Sequence, residues 1–183
     1  MRRFINSTYM SIDGVVQEPQ RWVFDYRGED ATRYSIDLLL GADALIMGRR
    51  TYESFSGAWP NRTDDTGMAD RMNALPKFVA SNTLTDPSWN NTTVSRVKDF
   101  PDLLRNLKDQ PGQDIVQYGY GPLTTTLIRE HLLDEMQIWL HPLFTGDTEP
   151  ANLISHDANE AKFALADVRR FDSGVVILHY QPA

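Results

Sequence analysis

The segment Ala44-Leu45-Ile46-Met47-Gly48-Arg49-Arg50-Thr51-Tyr52-Glu53-Ser54-Phe55 constrains this chain more than any other. An apolar run without polar interruption suits a strand buried on both faces, and the change at Gly48 to a polar stretch marks a strand that feeds directly into a helix. Such a junction also has chemistry. Glycine lets the backbone approach a ligand, the free N–H groups of the first helical turn point outward, and Arg49 and Arg50 place positive charge where an anion would sit. Thr51 adds a hydroxyl. Taken alone, the segment is either a phosphate-binding turn or an ordinary buried strand that ends beside solvated arginines.

The remaining residues narrow that choice. With 183 residues and an ordinary apolar content, the chain is expected to form a single domain, residues 1–183, with a sizeable core. It has no cysteine, which removes disulfides, thiolate catalysis and cysteine-ligated metals and makes a reducing cytoplasm the expected compartment. No signal-peptide pattern or membrane-spanning run is expected, so no membrane partner is. The net charge of -7 comes without a dense basic stripe, which argues against a nucleic-acid partner and leaves room for a basic pocket that binds a small anion.

Taken in order, residues 3–10 read as a strand that ends in the turn Ser11-Ile12-Asp13-Gly14. Asp13 is either plain turn chemistry or a carboxylate at a strand end that faces a cleft. From Val15 to Glu29 the chain is irregular and carries Trp22, Phe24 and Tyr26 beside Glu18 and Asp25; these aromatics either cover the core or wall a ligand site. Residues 30–41 read as a helix with Asp30 in its first turn or at its N-cap. Further helices are expected over Met68–Leu75 and Asp99–Lys108, and a strand over Lys77–Asn82.

Ile115–Tyr118 then runs as a strand into Gly119-Tyr120-Gly121-Pro122-Leu123, a second strand–glycine–helix junction. Two such junctions, separated by a strand with the polar end Ser81-Asn82, describe one extended phosphate-bearing ligand lying across the carboxyl ends of parallel strands. That geometry favours a dinucleotide, although the glycine spacing is not the Rossmann one. Met136–Leu140 is a further strand, and Phe163–Phe171 pairs with Val175–Tyr180 as a hairpin that adds an antiparallel edge. The four histidines lack metal-type spacing, and no hydrolase elbow is present. A dinucleotide groove beside an acid-bearing aromatic loop suits hydride transfer, with Asp13 or Asp30 organising a proton.

Five motifs in order, Ser11 to Gly14, Met47 to Glu53, Lys77 to Leu84, Gly119 to Leu123, and Leu132 to Glu135 leading to His141 to Gly146, resemble the dihydrofolate reductase superfamily. Within it the chain resembles the riboflavin-pathway pyrimidine reductases and their stand-alone bacterial relatives. The resemblance implies a three-layer α/β fold with a central, mostly parallel mixed sheet flanked by helices and a C-terminal antiparallel hairpin. It implies NADPH as cofactor, a small heterocyclic substrate and a homodimer. Carried over by position, the cofactor would meet Gly14, Val16, Gly48, Arg49, Arg50, Thr51, Ser81, Asn82, Thr83, Gly119, Tyr120, Gly121, Pro122 and Leu123. Trp22, Asp25 and Tyr52 would hold the substrate, and Asp13 and Asp30 would be the catalytic acids. A dinucleotide-binding protein without turnover, and dihydrofolate reduction itself, are the alternatives. The chain departs from the pathway reductases at Tyr118, where they often place an acid.

Overall fold

A computed structural model describes all of residues 1–183. Its strands are β1 Phe4–Ser11, β2 Ala42–Gly48, β3 Lys77–Ala80, β4 Thr92–Ser95, β5 Asp114–Tyr118, β6 Glu135–His141, β7 Phe163–Arg170 and β8 Val176–Pro182. The helices are α1 Glu29–Leu40, α2 Arg49–Ala58, α3 Met68–Ala74, α4 Phe100–Asp109, α5 Pro122–Arg129 and the single turn α6 Ile154–Asp157. All eight strands form one sheet in the order β4-β3-β2-β5-β1-β6-β8-β7. From β4 to β6 every pairing is parallel, and β8 and β7 continue the sheet antiparallel.

The apolar run of β2 explains its place. With β3 on one side and β5 on the other, Leu45, Ile46 and Met47 are at most 1% exposed, because helices cover both faces of the sheet there. One face packs Leu39 of α1, Tyr52 of α2 and Met72 of α3 against Ile5, Leu45 and Val116. The other packs Phe100 and Leu104 of α4 and Leu127 of α5 against Phe4, Ile46 and Ile115. Each fully buried side chain of this kind contributes roughly 1.5–3 kcal/mol. The result is the expected three-layer α/β arrangement with a C-terminal antiparallel hairpin.

Two features depart from the sequence expectations. Thr92–Ser95, β-branched but only four residues long, becomes the edge strand β4 by pairing with β3. Lys77 is fully buried at the start of β3. Its ammonium donates to the carbonyls of Asn73, Leu75 and Asn90 at 2.9, 2.8 and 3.2 Å and lies over the Trp89 ring. It thereby closes the C-terminal end of α3, whose last carbonyls lack partners within the helix.

Candidate functional site

Because six neighbouring strands run parallel, their carboxyl ends emerge along one edge of the sheet, and the turns that follow them line that edge. β2 ends at Gly48, which is also the N-cap of α2; β5 ends beside the turn at Gly119, and Gly121 caps α5. These two junctions lie side by side, since a Cβ on Gly119 would come 3.8 Å from Thr51 Oγ1. The loop after β3 joins them. Arg49 donates to Thr83 Oγ1 at 2.7 Å and to Glu53 at 2.6 Å, Ser81 Oγ accepts the Thr83 and Leu84 N–H groups, and Asn82 Oδ1 accepts the Val97 N–H. Arg50 is exposed and makes no bond to the protein.

The glycines at the two helix caps distinguish fold from function. Gly48 has φ -78°, a conformation open to any residue, and Gly121 is fully extended. A Cβ on either would meet nothing within 4 Å. Neither backbone conformation nor packing therefore requires glycine at these positions, yet both leave open space in front of a helix N-terminus. That space is a cradle which a Cβ would fill, and it fits a phosphate-bearing cofactor. Gly119, by contrast, has φ +82° and is glycine for conformational reasons.

The turn after β1 reaches the same edge. Gly14 has φ +85°, its carbonyl accepts the Ile154 N–H, and the buried Val16 donates its N–H to Asn152. Gln17 Nε2 donates to the Tyr120 carbonyl at 3.2 Å and ties this loop to the second glycine turn. Asp13 accepts from Ser11 Oγ and, through Oδ2, from Thr145 Oγ1 at 3.1 Å and the Gly146 N–H at 2.9 Å. The Ser11 hydroxyl is the main reason its carboxyl is lowered to about 2, with the two loop donors adding to it. At neutral pH Asp13 is an ionised acceptor that clamps the loop after β6 to the end of β1.

Two aromatic residues of the irregular segment, Trp22 and Tyr26, gather around His141, which pairs with Ser11 across β6 and β1, while Phe24 is exposed beneath the Arg27 guanidinium. Tyr9, Trp22 and Tyr26 meet its ring edge-to-face at 5.2, 5.2 and 5.9 Å. The imidazole is buried, and desolvation lowers its pKa, so a neutral ring at the strand end completes an aromatic wall. Trp22 and Tyr26 thus form one aromatic surface with Tyr9 and His141.

Tyr52, Asp30 and Asp25 have three different surroundings. Tyr52 is 3% exposed in the core beneath α2, where its hydroxyl accepts the Trp89 N–H at 3.1 Å. Asp30 lies in the first turn of α1 and accepts the Asp172 N–H of the β7–β8 turn at 2.9 Å; that bond is the main cause of its lowered pKa. Asp25 is exposed on the short turn Phe24–Tyr26. No group of three or more His, Cys, Asp or Glu side chains is placed to hold a metal.

The family described as the RibD C-terminal domain matches residues 3–177. The uncharacterized protein YyaP of Bacillus subtilis is 26% identical over 182 residues, covering 98% of this chain and 94% of that one. Among solved structures, a putative riboflavin biosynthesis protein from a Shewanella species superposes with TM-score 0.69 at 19% identity, over 99% of both chains. A pyrimidine reductase-like protein from Corynebacterium diphtheriae gives 0.67 at 12% identity, over 100% of this chain and 92% of its own. A deaminase/5-amino-6-(5-phosphoribosylamino)uracil reductase from Thermotoga maritima also gives 0.67 at 12% identity; this chain spans all of its own length and 57% of that larger protein.

Proposed function

Since the chain belongs to the RibD C-terminal domain family, we propose that it is an NADPH-dependent reductase of a small heterocyclic substrate that resembles 5-amino-6-(5-phosphoribosylamino)uracil. The observation that carries this reading is the pair of helix-capping glycines, Gly48 and Gly121, which leave open space in front of two helix N-termini at one sheet edge where neither φ nor packing requires glycine. When bound, the cofactor supplies a hydride. The first-turn N–H groups of α2 and α5 bind its phosphates, Arg50 and Thr51 add charge and a hydroxyl, and Ser81, Asn82 and Thr83, braced by Arg49, take the 2′-phosphate end.

The substrate rests on the aromatic wall, with Trp22 as its flat partner and Asp25 at its rim. Asp13 remains ionised at working pH and holds Thr145 and Gly146 in place, so it orders the site and accepts hydrogen bonds; it is not the proton donor. Asp30 is a positioning residue that fixes the first turn of α1 against the hairpin. Exclusion of water by Tyr9, Trp22, Tyr26 and His141 strengthens each polar contact beside them.

A homodimer is part of this proposal. Along the hairpin, Ile138, Leu178 and Val168 form one cross-strand row and Met136, Tyr180 and Leu165 the next, on a single face of the sheet. Val168 and Leu165 are 50% and 53% exposed, and a second copy is the simplest cover for such a face. A cysteine-free chain of this kind suits a reducing cytoplasm. The test is NADPH oxidation followed by absorbance, with 5-amino-6-(5-phosphoribosylamino)uracil and with dihydrofolate as substrates. Turnover of the first supports the reading. Turnover of dihydrofolate alone moves the activity to that alternative, and NADPH binding without turnover of either leaves a binding protein.

A further inference from the structure

Beneath the second glycine turn lies a buried polar cluster that the groove does not itself contain. Asn6, Thr8, Gln117 and Thr124 are all 3% exposed or less, although the centre of a parallel sheet is ordinarily apolar. Their hydrogen bonds form one connected network. Thr8 Oγ1 donates to Asn6 Oδ1 at 2.7 Å, which leaves Nδ2 to donate to Gln117 Oε1 at 3.0 Å and to the Gly119 carbonyl at 2.8 Å. Thr124, in the first turn of α5, donates to the same Gln117 oxygen at 3.2 Å. Meanwhile the Gly119 N–H donates to the Ser7 carbonyl at 2.9 Å.

Both polar groups of Gly119 are therefore held by β1. In a trans peptide the carbonyl of one residue and the N–H of the next point in opposite directions, and no peptide bond in this chain is cis. With the Gly119 carbonyl turned inward to Asn6, the Tyr120 N–H has to point outward from the sheet edge. Neither the Tyr120 nor the Gly121 N–H donates to any acceptor in the protein. Apolar side chains could fill the same volume without the desolvation cost of four polar ones. What the polar network adds is a fixed direction for one peptide plane.

We propose that Asn6 is a positioning residue for the groove: its amide, oriented by Thr8 and Gln117, locks the Gly119–Tyr120 peptide so that the Tyr120 N–H faces a bound dinucleotide's pyrophosphate. This inference rests on the groove reading above and concerns a residue that touches no ligand. Asn6→Asp keeps the size and the oxygen that accepts from Thr8, but it replaces the donor to Gly119 with an acceptor and so frees or reverses that peptide. Thr8→Val removes only the hydroxyl that orients the amide.

The experiment titrates NADPH and 2′,5′-ADP separately against wild type, Asn6→Asp and Thr8→Val, with thermal unfolding recorded for each. The fragment 2′,5′-ADP has the adenine, the 2′-phosphate and the adenosine-side 5′-phosphate, and lacks the nicotinamide-side phosphate of the pyrophosphate that the Tyr120 N–H would face. The expected result is NADPH affinity lower by about tenfold or more in Asn6→Asp and by roughly threefold in Thr8→Val, the size of a lost or loosened hydrogen bond to a charged group. Affinity for 2′,5′-ADP stays within about twofold in both. Equal loss of both ligands would assign the network to general stability, and unchanged NADPH affinity in folded variants would remove the positioning role; either overturns the inference. Should Asn6→Asp fail to fold, Thr8→Val carries the same comparison. A wild type that binds neither ligand would instead overturn the groove reading itself.

Discussion

Replacing Gly48 by alanine separates what the fold needs from what a ligand needs. The residue has an ordinary β-region conformation, and the added methyl group meets no protein atom within 4 Å, so no clash or strain enters the folded state. Alanine narrows the unfolded ensemble and stabilises by about 0.4–1 kcal/mol, while it is a poorer N-cap than glycine by a comparable amount, roughly 0.5–1 kcal/mol. These terms nearly cancel. The unfolding temperature should therefore move by no more than about 2–4 °C. The same methyl group stands where a phosphate would approach the first turn of α2, and displacing that phosphate forfeits at least one charge-assisted hydrogen bond worth about 1.5–3 kcal/mol. NADPH affinity should fall by roughly 10- to 100-fold. Fluorescence titration with NADPH alongside thermal unfolding measures both quantities on one sample. An affinity within about twofold of wild type, at unchanged stability, would show that no ligand uses the space and would refute the argument from the glycine caps.

Other perturbations test separate parts of the account. Arg50→Ala should weaken NADPH binding by about 1–3 kcal/mol with folding intact, because this exposed guanidinium has no protein partner to lose; calorimetric titration reads the difference. Asp13→Asn should lower turnover more than cofactor affinity, since the clamp on Thr145 and Gly146 loosens; equal loss of both in steady-state and binding assays would assign Asp13 to the turn alone. The folded pKa of Asp13 is depressed, so its stabilising contribution is present above its ordinary 3.8 and is lost as pH falls toward about 2. Acid unfolding of wild type and Asp13→Asn should accordingly converge at the low end of that window. Burial pulls the Lys77 ammonium down to about 8, yet its three carbonyl acceptors need its protons. Lys77→Met should cost roughly 2–4 kcal/mol in urea unfolding, from the stranded carbonyls less the recovered desolvation of the charge; a loss below about 1 kcal/mol would contradict this. Val168→Asp should convert a dimer to monomers in light scattering without unfolding the chain, and an unchanged mass would remove the hairpin face from the interface.

Much of the fold was legible because its signals are local. The apolar run before Gly48, and the repeated junction at Gly119, announce strands that enter helices, and the positions of the elements follow from that. β4 was not legible, because Thr92–Ser95 is short, lacks alternation and becomes a strand only through β3. The Asn6–Gln117 network joins residues 111 apart, and no single window of sequence shows a strand position choosing a polar partner across the sheet. The sign that was available is the alternation of Asn6 and Thr8 on one face of a strand whose other residues read as core. Tyr52 illustrates the opposite case: its spacing with Phe55 and Trp59 defines the inner face of α2, while Arg49, Arg50 and Glu53 lie outside. Motif position drew it toward the ligand, and helical periodicity placed it in the core. Asp30 was legible as a first-turn acid of α1, but its partner, the Asp172 N–H, is 142 residues away and no local window shows it.

The measurement that bears most directly on the groove is a crystal structure of the protein soaked with NADPH. The expected density is one dinucleotide per chain, with its pyrophosphate between the Gly48–Thr51 and Gly119–Leu123 turns and its 2′-phosphate near Ser81 and Asn82. Density elsewhere on the molecule, or none at a concentration that saturates related reductases, would contradict it.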